Sequence, residues 1–196
     1  MSPIKVAYFG HPGSFSFMAA KKFVKDQARQ AYFLPCESAE EVMDYLTIGG
    51  CYGVLPVLNS DAGKVAAHAA IVSANRQMVV GEIDIIVHHC LIGLEKTQTG
   101  NINKIVSHPQ ALLQCSKYLK KRFPNAKLVA YSTTSTAAHD LAKGKLNANC
   151  AVIASAEAAK IYNLKIIASN IQNTKDNSTH FKVLFNKPAG KPVEDS

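Results

Sequence analysis

Arginine is scarce in this sequence: Arg29, Arg76 and Arg122 are the only three in 196 residues. Bidentate capture of an anion by guanidinium groups is therefore not expected, unless one arrives from elsewhere in the fold or from another subunit. No run of residues is long and apolar enough to span a bilayer, and residues 1–5 lead into a strand without a signal-peptide pattern. A cytoplasmic protein with no membrane partner is expected. The five cysteines, Cys36, Cys51, Cys90, Cys115 and Cys150, are odd in number, scattered and mostly inside apolar runs. That distribution predicts buried free thiols in a reducing compartment rather than disulfides. No Ser-His-Asp or Cys-His nucleophile signature, phosphate loop or dinucleotide glycine pattern is present. His88-His89-Cys90 has the look of a ligand cluster, but neighbours on a strand point to opposite faces and cannot all hold one ion. Neither a metal nor a cofactor is expected.

What is present in quantity is positive charge, +8 from 22 basic and 14 acidic residues. Most of it is dispersed. The one concentration, Lys117, Lys120, Lys121, Arg122 and Lys127, lies on and just after an amphipathic helical pattern and reads as a solvated face. Nucleic acid is not an expected partner, whereas a general attraction for small anions is.

At 47% hydrophobic the chain can bury a sizeable core. Strand and helix patterns alternate along it. Strands are predicted at residues 5–9, 32–35, 52–57, 105–106, 128–131, 151–153, 165–168 and 181–185, and helices at 16–25, 39–47 and 64–74. Ser38 with Glu41 gives a capping pattern ahead of the second helix. Residues 78–92 read as one long β-rich segment broken at Gly81. The alternation predicts an α/β protein with mainly parallel sheet.

Three of the strand-to-helix turns share one design. The first is Gly10-His11-Pro12-Gly13-Ser14-Phe15-Ser16, the second Ser107-His108-Pro109-Gln110, and the third Ser132-Thr133-Thr134-Ser135-Thr136. In the second, Ser107 reads as the N-cap and Pro109 as an early helical residue. Each turn would aim backbone N–H groups at a point beyond the carboxyl end of a strand, where anions bind. The predicted ligand is a small anion with several oxygens, and a bland capping role is the competing reading for each hydroxyl.

The run Ser107-His108-Pro109-Gln110-Ala111 with Gln114-Cys115 resembles the corresponding segment of prephenate dehydratases. Further landmarks follow in the same order: Gly10-x-x-Gly13-Ser14-Phe15-Ser16, the segment Tyr52 through Ser60, Gly81-Glu82 with His88-His89-Cys90-Leu91, and Asn177-Ser178-Thr179-His180-Phe181. The likeness spans about residues 4 to 185. It implies conversion of prephenate to phenylpyruvate in phenylalanine biosynthesis, without a cofactor. It also implies a two-lobed fold similar to periplasmic binding proteins, with the site in the cleft between lobes. On that basis lobe one takes residues 1–78 and 175–196, and lobe two residues 79–174. The residues themselves also allow a single doubly wound sheet. The tail 186–196, with Pro188, Gly190 and Pro192, is expected to be flexible. Related catalytic regions associate as dimers or tetramers, so a homodimer or homotetramer is expected. Most family members carry a further phenylalanine-sensing ACT domain; the chain ends before one could fit, so control by that route is not expected.

The resemblance assigns catalysis to Thr179, as donor to the leaving ring hydroxyl, and to His180 beside it. Substrate binding falls to Ser14, Phe15, Asn59, Ser60, Ser107, His108, Gln110, Thr133, Thr134 and Phe181. Two departures touch this set. The family's Thr-Arg-Phe is here Thr179-His180-Phe181, and its Pro-Ile-Glu-Asn-Ser is here Pro56-Val57-Leu58-Asn59-Ser60. Arg gives way to a shorter, partly charged ring, and a carboxylate to an apolar side chain. Two readings follow: a dehydratase acting on prephenate or a similar dicarboxylate, or a catalytically altered relative that binds a small cyclic or aromatic carboxylic acid.

Overall fold

The computed structural model describes residues 2–187, so most of the tail expected to be flexible lies outside the described residues. The first sheet has the strand order β2 (Ala31–Cys36), β1 (Ile4–Phe9), β3 (Cys51–Asn59), β11 (Ser178–Phe185), β5 (Val79–Ile86), with the two-residue β4 (Gly63–Lys64) paired to the end of β3. The second has the order β10 (Lys165–Ala168), β6 (Cys90–Gly93), β9 (Cys150–Ala154), β7 (Lys104–Ser107), β8 (Lys127–Ala130). The architecture is two-lobed α/β, with a cavity between the lobes.

Each sheet is parallel on one side and antiparallel on the other. β1 pairs parallel with β2 and β3, and β7 with β8 and β9; the remaining pairings are antiparallel. The sheets are thus more mixed than the strand–helix alternation suggests. The difference comes from β5, β6, β10 and β11, the strands on either side of the two crossings between sheets. Residues 78–92 are not one strand: β5 continues through Gly81, where its pairing with β11 shifts register by one residue at Val80, and the chain leaves the first sheet at Val87–His89 before β6 begins. The crossings are tied together, since Val87 N–H donates to Asn177 O at 2.7 Å and Ile171 N–H to His89 O at 3.0 Å.

Helices cover both faces of each sheet. α1 (Phe15–Asp26) packs Ala19, Ala20, Phe23 and Val24 against Val6, Tyr8, Val54 and Phe181. α2 (Ala39–Ile48) and α3 (Ala66–Ala74) take the opposite face through Val42, Leu46 and Val72. In the second sheet α6 (Thr134–Ala142) and α7 (Ala156–Ile161) cover one face, and α4 (Pro109–Gln114) and α5 (Ser116–Arg122) the other. Covering on both sides explains the unbroken apolar run of β9, Cys-Ala-Val-Ile-Ala, every residue of which is buried. Burying a side chain such as Ile153 contributes about 1.5–3 kcal/mol, and a charge at its position would undo the layer. The five cysteines are all buried free thiols.

Candidate active site between the two sheets

The elements that approach the gap between the sheets are the turns at the ends of β1, β3, β7 and β8 and the start of β11. They enclose a cavity of about 360 Å³. Of the residues singled out from sequence, Ser14, Phe15, Asn59, His108, Gln110, Thr133, Thr134, Thr179 and Phe181 line it. Ser60, Ser107 and His180 do not.

Ser107 is fully buried and donates its hydroxyl to Ile153 O at 2.7 Å, which ties β7 to β9. It is not the cap of α4; His108 is, its Nδ1 accepting from Gln110 N–H at 3.2 Å. Ser60 Oγ accepts from Ser178 N–H at 2.9 Å and braces the entry to β11. His180 pairs with Asp84 at 2.8 Å and Glu82 at 3.3 Å on the neighbouring β5, on the face of the sheet opposite Thr179 and Phe181. Leu58 is its cross-strand partner on β3 and is 47% exposed. Both departures from the family pattern therefore sit together, away from the cavity.

A bulge produces this arrangement. Phe181 pairs with Pro56 and His180 with Leu58, so β3 carries one extra residue at Val57. The insertion lets Pro56 and Asn59, three apart in sequence, both line the cavity.

The hydroxyls of two turns are committed to capping, as the bland reading has it. Ser14 Oγ accepts from Phe17 N–H at 3.1 Å, and Thr133 Oγ1 from Thr136 N–H at 2.9 Å. What remains for a ligand is the backbone. The first-turn N–H groups of Phe15 and Ser16 in α1, and of Thr134 and Ser135 in α6, have no intrahelical acceptor, and all four residues line the cavity. Two helix N-termini, one from each sheet, thus flank one space with their positive ends. No Asp or Glu lines it.

The turns are also clasped across the gap. Ser155 Oγ donates to Gly13 O at 2.5 Å, His11 N–H to Ser135 Oγ at 3.2 Å, and the His11 and His139 rings stack with centroids 4.6 Å apart. Gly13 has φ +86°, and a Cβ there would lie 2.5 Å from Ala158 Cα, so the close approach of the lobes requires glycine.

Deep in the cavity an amide network joins both sheets. Asn59 Nδ2 donates to Asn177 Oδ1 at 2.7 Å, Ser178 O at 3.0 Å and Thr179 Oγ1 at 2.9 Å. Asn59 Oδ1 accepts from the backbone N–H groups of Asp61 at 3.1 Å and Ala62 at 2.9 Å, and from Gln114 Nε2 at 3.2 Å. Those backbone donors fix which end of each amide is which. Gln114 must then turn Oε1 toward His89, 3.0 Å from Nε2, and the His89 proton sits on Nε2. Burial lowers the pKa of His89, partly offset by the Gln114 bond, so the ring is neutral. The other imidazole of the pair, the half-exposed His88, turns to Gln172 instead, 3.2 Å from Nδ1.

Gln114 and His89 are the working residues absent from the expected site. Gln114 follows Gln110 by four residues, which puts both on one helical face, and that spacing was the available signal. His89 stood in the landmark His88-His89-Cys90-Leu91, but its role did not show there, since its partner lies 25 residues away in sequence.

The family model for prephenate dehydratase matches residues 6–189. Arogenate dehydratase 5 of Arabidopsis thaliana is 36% identical over 95% of this chain and 43% of its own length. A bifunctional chorismate mutase/prephenate dehydratase of Pseudomonas aeruginosa is 34% identical over 98% of this chain and 52% of its own. The chain therefore spans about half the length of these relatives, or less. Among solved structures, a prephenate dehydratase of Arthrobacter aurescens in complex with L-Phe superposes with a TM-score of 0.83, at 21% identity, over 97% of this chain and 63% of that one. A structure of a periplasmic transporter superposes with a TM-score of 0.50, at 10% identity, over 98% of this chain and 78% of that one. With a family match over nearly the whole chain, and relatives at 34–36% identity, this chain belongs to the prephenate dehydratase family.

Proposed function

We propose that the protein catalyses the decarboxylative dehydration of prephenate to phenylpyruvate, a carbon–oxygen lyase step toward phenylalanine that uses no cofactor. The observation that carries this reading is the state of Thr179. Its oxygen accepts from Asn59, so its own proton is left to donate into a cavity flanked by two helix N-termini.

The chemistry follows from the substrate. Prephenate carries a ring carboxylate, a side-chain carboxylate and a ring hydroxyl on the opposite ring carbon. When the ring carboxylate leaves as carbon dioxide, the bonding pair moves into the ring. The opposite C–O bond breaks, and the hydroxyl departs with its electrons and takes up a proton as water. The ring becomes aromatic, so the protein need only position the dianion and stabilise the departing oxygen. The α1 and α6 N-termini serve the first need, and the Thr179 O–H serves the second. Asn59 and Gln114 hold the donor in place, and Phe15 and Phe181 supply apolar walls for the ring.

Incubation of purified protein with prephenate at neutral pH, following substrate loss and product identity, tests the proposal. Phenylpyruvate formed well above the uncatalysed rate supports it. Arogenate belongs in the same assay, because one relative at 36% identity bears that name. The binding-protein reading rests on the lack of any arginine in the lining, and a raised Tm with prephenate but no turnover would favour it. We also place the protein in the cytoplasm, where five buried thiols stay reduced, as a homodimer or homotetramer; sedimentation of the purified protein checks the latter. No helix of the described residues is long and apolar enough to cross a membrane.

A further inference from the structure

We infer that the His11–His139 stack is a proton-sensitive latch that holds the two lobes together. The inference rests on contacts between the lobes and is independent of the dehydratase reading. His11 stands in the turn between β1 and α1, and His139 on α6 of the other lobe. Their rings lie face to face, with centroids 4.6 Å apart and planes 4° from parallel. Neither ring lines the site cavity. His11 instead lines a second cavity of about 620 Å³, which has Glu41 of α2 on one side and Thr136 of α6 on the other.

Other ties across the gap include Ser155 to Gly13, His11 N–H to Ser135, Gln114 to Asn59, and Lys21 Nζ to Glu157 Oε1 at 2.7 Å. These are hydroxyl and amide bonds and one lysine–glutamate pair. Imidazole is the side chain whose ordinary pKa falls between pH 5 and 8, so the stack is the tie that mild acid addresses.

Such a stack tolerates one charge but not two. Two neutral rings attract, as do one neutral and one protonated, whereas two imidazolium rings at this distance repel. The surroundings do not offset a second charge. Asp140 Oδ1 lies 3.0 Å from His139 Nδ1, but the same carboxylate already holds Lys145 Nζ at 2.9 Å and Tyr131 O–H at 2.6 Å. Tyr162 meets the His139 ring edge-on at 5.7 Å and brings no charge near neutral pH. Beside His11 stand Glu37, exposed after β2, and Glu41 of α2. Burial and His139 lower the His11 pKa, Lys145 adds to them, and together they outweigh Glu37 and Asp140.

Opening the gap returns water to His11 and takes His139 away, so the open form binds this proton first. Closure is therefore full above the ordinary value of 6.5 and weakens as pH falls below it. Each pH unit lowers the closed-to-open ratio by up to about tenfold, until the closed form binds the proton as well.

The test reads the distance across the second cavity by pulsed electron spin resonance. Spin labels go on Asp44→Cys in α2 and Ala142→Cys in α6, both exposed positions, while the five native thiols are buried. Between pH 8 and 5 a longer distance should grow at the expense of a shorter one, with helical circular dichroism unchanged. Lys21→Met, in the same labelled protein, removes a tie outside the latch and should raise the longer population at every pH without changing its pH dependence. His11→Phe keeps a stacked ring without a proton to bind, and should hold the shorter distance down to pH 5. A ratio that does not move with pH in either the labelled wild type or Lys21→Met overturns the latch. An equal pH dependence in His11→Phe also overturns it, and would place the titrating group at His68, His89 or His108. Loss of helical signal in step with the longer distance overturns it too, because that reports unfolding. None of these readings uses turnover, so the dehydratase proposal stands or falls separately.

Discussion

Asn59 Nδ2 donates to Thr179 Oγ1 at 2.9 Å, and the same nitrogen also reaches Asn177 Oδ1 and Ser178 O. With Asn59 Nδ2 donating to it, the Thr179 oxygen acts as an acceptor toward the protein, and its own proton is left for another partner.

That geometry predicts a clean effect of Thr179→Val. Loss of the hydroxyl should lower kcat by about 100-fold or more, the usual range for a positioned proton donor. Asn59 Nδ2 keeps two other acceptors, so Tm should hardly move. Steady-state kinetics with prephenate and a thermal melt check both halves, and turnover unchanged in this variant would remove Thr179 from the mechanism.

Gln114→Leu should act on stability and activity together. It strands the buried Nε2–H of His89, whose Nδ1 already lacks a partner. An orphaned buried donor costs about 1–3 kcal/mol, or roughly 2–12 °C in Tm for a chain of this size. It also cuts the link between Asn59 and the second sheet, so kcat/KM should fall as well. A melt and turnover equal to wild type would show the bridge to be idle.

Stability should fall in mildly acid solution. Burial lowers the pKa of His11, His68, His89 and His108 below the ordinary 6.5. Below pH 6.5 the unfolded chain binds these protons before the folded one does, so stability is full above 6.5 and declines as pH drops toward the depressed folded values. Asp140 acts in a separate window. Burial pushes its carboxyl up, but bonds from Tyr131, Lys145 and His139 outweigh that and hold it at about 2. Its contribution persists above the ordinary carboxyl value of 3.8 and disappears as pH falls toward 2. Melts between pH 8 and 5 should show Tm dropping below about 6.5, with a shallower slope in His89→Gln; a flat profile would contradict the assignment.

The placement of Leu58 and His180 predicts that restoring the family's residues does little for catalysis. An arginine at 180 would meet Asp84 and Glu82, and a glutamate at 58 would lie beside it on the same outer face. His180→Arg, Leu58→Glu and the double change should each leave kcat/KM for prephenate within about threefold. The two changes should still couple in stability by about 0.5–3 kcal/mol, because the side chains are cross-strand neighbours. A large gain in activity in the double variant would mean that this face reaches the substrate.

The three strand-to-helix turns, the alternating elements and the buried thiols were readable because local patterns encode them: caps, periodicity, apolar runs. The misplaced residues depend on register, which local patterns do not carry. His180 and Thr179 are adjacent in sequence, and pleating alone sends them to opposite faces. Asn59 and Pro56 share a face only through the extra residue at Val57. The boundary between β5 and β6 escaped notice for a similar reason, since Val87 is as apolar as the strands around it. Ser107 carries the composition of a cap, but its hydroxyl is drawn to Ile153 O, a partner 46 residues away.

The lacing of the two crossings bears on how the halves of the molecule travel. Val87 is bonded to the segment leading into β11, His89 O accepts from Ile171 N–H, and His89 N–H donates to Gln172 Oε1 at 3.0 Å. Two connections bonded to each other stiffen the span between the sheets more than either would alone, and His89 is rooted in that span. Any rotation of one sheet against the other would have to strain both crossings together, so Gln114 contact and Asn59 alignment should respond jointly to a substitution at either crossing.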